Sequence, residues 1–343
     1  MQLAQKRVFN MEQVSLSEYF LNEGRIIDVR SPIEYNRGHI PNAKNLPLFT
    51  DLERKIVGTA YKELGKRPAI EKGLELVSFS RILQEIRNLE LPRLITIYCA
   101  RGGMRSASMA WLLELLGYEV LTISGGYKSF RKWVLDQFAQ NYSLRVLGGK
   151  TGSGKTKFLK QLENCGEHII DLEGLAHHRG SVFGGLGDQP TQEMFENHLA
   201  LLLSQKREDA IWIEDESERI GSLTIPHKFF QQINTAPMIV LQTTHAKRVQ
   251  ECLNEYLPLG RKELSIAIHR LQKRLGSLAT KKAIEAMEQG QFEVCCEILL
   301  SYYDKKYQYG MNQKNQENLL LLPIENSSDD DTILKLKALF IRG

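Results

Sequence analysis

No stretch of this 343-residue chain comes near the run of about eighteen apolar residues that a membrane-crossing helix needs, so no membrane partner is expected. The opening residues, Met1-Gln2-Leu3-Ala4-Gln5-Lys6-Arg7, hold no apolar core followed by a small-residue cleavage site. A secretory signal is therefore not expected, and a cytoplasmic location is. Charge of one sign is scarce as well: 45 Lys and Arg face 41 Asp and Glu, and a net +4 does not by itself demand a nucleic-acid partner. The five cysteines (Cys99, Cys165, Cys252, Cys295 and Cys296) are odd in number and lack metal-ligand spacing, so reduced thiols fit best. Adjacent Cys295 and Cys296 lie in a helical pattern and read as core packing. Internal repeats and low-complexity tracts are missing too.

What remains is an ordinary globular composition, 42% hydrophobic and 25% charged, over a length that exceeds what one core usually organises. Two domains are expected. Short apolar runs at Ile26–Val29, Leu94–Tyr98 and Val120–Ile123 read as buried strands, and Ser106–Leu116 reads as a helix stopped by Gly117. Strands spaced by helices imply a parallel sheet. Tyr127–Gln140 is an amphipathic helical stretch, after which strands are predicted at Leu144–Leu147, His168–Leu172, Ala210–Glu214 and Met238–Leu241. The chain then turns strongly helical to about Tyr309, before a last strand at Leu319–Pro323 and a helix at Asp331–Phe340. The boundary is placed near Asn141, giving domains 1–140 and 141–343, both α/β, the second with a helical C-terminal part.

Two loops carry chemistry. Cys99-Ala100-Arg101-Gly102-Gly103-Met104-Arg105 lies between a predicted strand and a predicted helix, at the carboxyl edge of a parallel sheet, where such folds bind ligands. Backbone N–H groups there favour an anion and lower a thiol pKa. Gly102 and Gly103 let the backbone wrap tightly, and Arg105 is expected to close the ring and pair with an oxyanion. Asp28, Arg30, Glu34 and His39 are read as braces and not as acid/base catalysts. The second loop, Gly149-Lys150-Thr151-Gly152-Ser153-Gly154-Lys155-Thr156, satisfies GxxxxGK[ST] between a strand and the helix opening at Lys155. Its N–H groups cradle a diphosphate, Lys155 neutralises it, and Thr156 offers a magnesium ligand.

The acidic partner of that loop is not fixed by spacing. Asp171 with Glu173 is the first choice, being nearest in sequence, and Glu214-Asp215-Glu216 the second. His177, His178 and Arg179, followed by the glycine-rich Phe183–Gly187, form a candidate substrate loop. Arg219 and Arg248 are weaker phosphate candidates. Between Arg261 and Lys282 the basic residues Arg261, Lys262, Arg270, Lys273, Arg274, Lys281 and Lys282 face one acid, Glu263; such a strip suits an RNA backbone or a solvated helix face.

Asp28-Val29-Arg30-Ser31-Pro32-Ile33-Glu34-Tyr35 and Gly38-His39-Ile40-Pro41-Asn42-Ala43-Lys44-Asn45-Leu46-Pro47 resemble the two signatures of rhodanese-like domains, over roughly Ser15–Arg131. Arginine stands six residues after the cysteine, one further than in single-turn sulfurtransferase loops, and the longer ring is similar to that of rhodanese-related phosphatases. It suits a tetrahedral anion. Tyr98 stands where many of those phosphatases carry histidine. The cysteine loop, Ser124-Gly125-Gly126-Tyr127-Lys128-Ser129-Phe130-Arg131, the P-loop and His177-His178-Arg179-Gly180-Ser181, in that order, resemble the tRNA 2-selenouridine synthase family across nearly the whole chain.

That resemblance implies a rhodanese-like domain followed by a P-loop NTPase-like domain. It implies a transferase acting on the wobble 2-thiouridine of lysine, glutamate and glutamine tRNAs, with geranyl diphosphate and selenophosphate as co-substrates and S-geranyl-2-thiouridine as intermediate. Cys99 and Arg105 would serve selenium transfer; Gly154, Lys155 and Thr156 would hold the geranyl donor's diphosphate. No tightly bound cofactor is expected, and magnesium is admitted through Thr156 and Asp171. An ATP-dependent sulfurtransferase, a kinase-like tRNA-modifying enzyme and a non-catalytic anion sensor or phosphatase stay open.

Overall fold

The computed structural model describes residues 12–14, 25–178, 188–205, 210–311, 314, 318–324 and 328–339. The chain divides into two compact units, Met1–Gln137 and Phe138–Gly343, against an expected division after residue 140.

The first unit is a five-stranded parallel sheet of β1 (Glu12–Val14), β2 (Arg25–Asp28), β3 (Lys44–Asn45), β4 (Leu94–Tyr98) and β5 (Glu119–Ile123), in the order β1-β5-β4-β2-β3. Strand β4 is central, and its Ile95 to Tyr98 are buried on both faces, which is why it reads as an unbroken apolar run. The expected helix after the cysteine loop runs Met104–Leu115 and ends as Gly117 takes φ +92°, a left-handed turn that glycine enters without a Cβ clash. Helices Asp51–Leu64, Lys66–Leu76 and Phe79–Leu89 carry the crossover from β3 to β4. The first opens with a reciprocal cap: Glu53 N–H donates to Thr50 Oγ1 (3.3 Å) and Thr50 N–H to the Glu53 carboxylate (2.7 Å). Ile27, Ile95, Ile97, Met109 and Leu113 meet in the core. Each such side chain withdrawn from water contributes about 1.5–3 kcal/mol.

The second unit is another parallel five-stranded sheet, of β6 (Leu144–Gly149), β7 (His168–Ile170), β8 (Ile211–Glu214), β11 (Met238–Gln242) and β12 (Leu319–Pro323). Its order is β12-β11-β6-β8-β7, with a separate antiparallel pair of β9 (Arg219–Ile220) and β10 (Leu223–Thr224). Leu147 pairs in register with Glu214, so β8, and not β7, lies beside the P-loop strand. The strongly helical stretch is an insertion between β11 and β12. Its helices His245–Tyr256, Arg261–Arg270, Gln272–Leu275, Ser277–Glu288 and Phe292–Met311 enclose a core of their own, formed by Cys252, Leu264, Ile268, Met287 and Leu299 together with Cys295 and Cys296. The last helix, Asp329–Leu339, carries three aspartates in its first turn, opposite the positive end of its dipole, and packs Ile333 and Leu336 against Phe158 and Leu162.

Candidate active site

Among the described residues each unit contains one candidate anion-binding centre. In the first, Cys99 follows β4 directly and is buried; the Gly103 N–H donates to its Sγ at 3.3 Å, and Ser106 Oγ lies 3.3 Å away. Burial pushes the thiol pKa up, but hydrogen bonds from the Ser106 hydroxyl and from the amides of Arg101, Gly103 and Ser106 outweigh it, and the net shift is downward. The ring thus stabilises a thiolate. Ser106, whose single hydroxyl proton can turn to the sulfur or to the Gly103 carbonyl 3.0 Å away, is marked in the sequence only as a hydroxyl in the first turn of the helix after Cys99.

The Gly125-Gly126 pair supports the ring from behind. Tyr127 N–H donates to the Cys99 carbonyl at 2.9 Å and Lys128 N–H to that of Ala100 at 3.0 Å. Gly126 has φ +58°, and a Cβ there would stand 2.3 Å from the Cys99 oxygen. No other residue fits without moving the loop. Gly102, at φ +62°, supplies the tight turn expected of it, Ala100 and Arg101 continue the ring, and Gly103 caps the helix that begins at Met104.

Arg105, expected to pair with an oxyanion, meets a carboxylate of its own chain. Its guanidinium is engaged by Glu34, Nη1 to Oε2 at 2.5 Å and Nη2 to Oε1 at 3.3 Å, so the donors on the sulfur are backbone amides and Ser106. The Glu34 carboxyl is destabilised by burial, yet Arg105 and Arg54 hold its pKa below the usual range. Asp28 and Arg30 form a buried pair, Nη2 to Oδ2 at 2.5 Å, with Arg30 also donating to the Gly38 carbonyl and lying over the Tyr127 ring at 3.8 Å. His39 stacks on Tyr35 with centroids 3.8 Å apart, and Tyr98 accepts a hydrogen bond at its hydroxyl from the Ile40 N–H. Glu34 on Arg105 and Arg30 over Tyr127 fasten the segment after β2 to the ring.

The second centre is the P-loop after β6. Gly149, Gly152 and Gly154 all take positive φ, and a Cβ on Gly152 would lie 2.7 Å from the Arg248 carbonyl. Arg248, one of the weaker phosphate candidates, is buried: it donates to the Thr151 carbonyl at 2.8 Å and pairs with Asp304 at 2.5 Å, bracing the loop from the helical insertion. Lys155 donates to the Gly149 carbonyl at 3.0 Å and lies 3.4 Å from Glu214, while Thr156 Oγ1 donates to the other Glu214 oxygen at 3.2 Å. Burial disfavours the Lys155 ammonium, but Glu214, Glu216, Glu173 and Asp215 together raise its pKa.

Asp171, the first choice for a magnesium ligand, is placed elsewhere. It caps the short helix Leu172–Leu175, accepting the Gly174 N–H at 2.8 Å, at the end of edge strand β7. The residues brought together are Glu173, Glu214 and Glu216, whose carboxylate oxygens lie within 4.8 Å of one another. Both sequence alternatives thus contribute, and the nearest in sequence does not. His177 and His178 close that short helix through their backbone N–H groups, to the carbonyls of Gly174 (3.1 Å) and Glu173 (3.0 Å), and do not line the cleft. Arg179 and residues 180–187 lie outside the described residues. Arg219 is exposed on β9.

The cleft in front of this loop measures about 780 Å³. Lys155, Lys157 and Lys306 give it positive charge, the three glutamates line its floor, and Phe230, Tyr303 and Tyr307 give it an apolar wall. Burial and the neighbouring carboxylates push Glu173 up to about 10 and Glu216 up to about 7. Three carboxylates and a threonine hydroxyl form an all-oxygen donor set that fits a hard divalent cation, which relieves their mutual repulsion.

The sign of the pH dependence follows. Both carboxyls bind their protons more tightly folded than unfolded, so stability falls as pH rises above the ordinary glutamate range, by about 1.4 kcal/mol per pH unit for one extra bound proton. The melting temperature of the full chain is expected to fall between pH 5.5 and 8 in EDTA, and millimolar Mg²⁺ to remove most of that fall. Glu173→Gln is expected to flatten the EDTA profile. A profile that neither Mg²⁺ nor the substitution alters would refute the shared acidic site.

Comparison with known proteins identifies two domains in the same order. Residues 15–132 match the rhodanese-like domain family, and residues 142–325 match the family described as the tRNA 2-selenouridine synthase AAA domain. The tRNA 2-selenouridine synthase of Sulfurovum sp. (strain NBC37-1) is 36% identical, over 90% of this chain and 96% of its own. Those of Shewanella woodyi and Shewanella sediminis are each 36% identical, over 89% and 87% of this chain and 92% and 90% of theirs. With both domains matched in order and relatives aligned over nearly their full lengths, the chain belongs to the tRNA 2-selenouridine synthase family.

Proposed function

We propose that this chain is a transferase that converts the wobble 2-thiouridine of lysine, glutamate and glutamine tRNAs to 2-selenouridine in two steps. In the first, the thiouridine sulfur attacks C1 of geranyl diphosphate, the C1–O bond breaks and diphosphate leaves. In the second, selenium from selenophosphate replaces the geranylthiolate at C2; water cleaves the P–Se bond, and phosphate and geranylthiol are released. The exchange is redox-neutral and needs no resident cofactor. The reading assigns diphosphate binding to the P-loop amides with Lys155. Thr156, Glu214, Glu173 and Glu216 would hold a magnesium ion, which would neutralise charge on that diphosphate. Cys99, held as thiolate by the amides of Arg101 and Gly103, is the nucleophile of the selenium step: it attacks C2 and expels the geranylthiolate, and the selenium of selenophosphate then displaces it and frees the thiolate; Arg105, paired with Glu34, stands beside the ring.

The observation that carries the reading is the presence, in one member of this family, of a thiolate-stabilising loop and a separate lysine-bearing phosphate cradle. Two phosphorylated co-substrates, used in successive steps, are each matched by one such site. The test is to incubate the protein with 2-thiouridine tRNA, geranyl diphosphate, selenophosphate and Mg²⁺, digest the RNA and weigh its nucleosides. S-geranyl-2-thiouridine is expected when selenophosphate is withheld, and 2-selenouridine in the complete mixture. Absence of both would sink the proposal; tRNA-stimulated ATP hydrolysis together with ATP-dependent product would replace it with the kinase-like alternative.

A further inference from the structure

We infer that the corner of the helical insertion carrying Arg270, Lys273, Arg274, Lys281 and Lys282 is the surface that grips the tRNA backbone. The inference rests on the reading of the chain as a tRNA-modifying enzyme and names where that substrate docks.

Residues 264–284 contain these five cations and no acid, in a chain whose net charge is only +4. All five side chains are exposed, around the turn that joins Arg261–Arg270 through Gln272–Leu275 to Ser277–Glu288. The apolar residues on the same helices, Leu264, Ile268, Leu271 and Ala283, are buried in the core of the insertion, which turns the charges outward. Among the described residues, Lys273, Arg274, Lys281 and Lys282 make one ion pair, Lys281 with Glu285, at 3.7 Å on an exposed helix face. A solvated pair of that kind contributes little and gives way easily to a phosphate.

A second observation ties this corner to the reaction cleft. The charge of Arg274 acts on the Tyr303 hydroxyl, lowering a pKa that burial drives well above normal. Tyr303 in turn lines the P-loop cleft, four residues from Tyr307 on the same helix, with Lys306 between them. Arg274 therefore stands close enough to a cleft-lining side chain for its charge to act there, and a backbone held at Lys273 and Lys282 runs beside the wall of the phosphate cradle. A merely solubilising helix face would place acids among its cations, and none falls between Arg270 and Lys282.

The experiment is a salt series of equilibrium binding between the full chain and an unmodified glutamate-tRNA transcript, with wild type, Lys273→Glu/Lys282→Glu, and a control of equal charge change, Lys62→Glu/Lys66→Glu. The corner variant is expected to bind about tenfold or more weakly at 0.15 M salt, and its slope of log K against log salt to fall by about two. Its Mg²⁺-dependent melting shift is expected to stay at the wild-type value, showing an intact second unit. Unchanged affinity and slope, or equal loss in the control, would overturn the proposal. Wild-type protein that binds no tRNA at all would instead overturn the functional reading.

Discussion

Cys99→Ser is expected to lower selenium incorporation by about 10³-fold or more while S-geranyl-2-thiouridine still accumulates in the tRNA. The ring is built for a sulfur anion. The Gly103 amide at 3.3 Å, with the amides of Arg101 and Ser106, offsets the burial that would otherwise keep the thiol protonated. A serine hydroxyl in the same place stays neutral at any working pH, so the same amides gain no charge to stabilise. The lowered pKa also fixes a pH profile. Alkylation of Cys99 by iodoacetamide, separated by peptide mass from alkylation of the exposed Cys165, is expected to be fast already below the ordinary thiol range and to level off there. Geranyl transfer, assigned to the other unit, is expected to be unaffected. Equal loss of both products would mean that Cys99 serves both steps or holds the fold.

Lys155→Ala should show the reverse pattern. This ammonium faces Glu214 at 3.4 Å, with Glu173 and Glu216 close by, and is the cation set deepest in the phosphate cradle. Removing it costs the charge that neutralises a departing diphosphate, and geranylation is expected to fall by about 10²–10³-fold. It also leaves three carboxylates with less compensation, so the variant is expected to be less stable than wild type at pH 8 and to recover toward pH 6. Glu173 already holds its proton at pH 8, and Glu216 takes one up on the way to pH 6, which offsets the missing charge. Recovery of stability without recovery of geranylation would separate the structural from the catalytic contribution of Lys155.

Both centres were legible in the sequence because each is a local pattern: a cysteine followed by glycines between a strand and a helix, and GxxxxGK[ST] in the same context. What escaped depends on chain segments that meet only in the fold. Asp171 is nearer to the P-loop in sequence than Glu214, but strand order decides, and β8 rather than β7 lies beside β6. No local property of either strand records that order. Arg105 and Glu34 are 71 positions apart, so their pairing is invisible to spacing. Arg248 looks like any surface arginine until Thr151 and Asp304 close on it. The insertion read as helical from its periodicity, whereas its separate core, and with it the outward display of the basic corner, needed the packing of Ile268, Met287 and Leu299.

The central claim is that two separate centres perform two successive steps. Its most direct test supplies tRNA already carrying S-geranyl-2-thiouridine, with selenophosphate, to Lys155→Ala and to Cys99→Ser, and weighs the nucleosides. The account predicts near-normal 2-selenouridine from Lys155→Ala and none from Cys99→Ser. Failure of Lys155→Ala on the preformed intermediate, with its fold intact by melting, would contradict it.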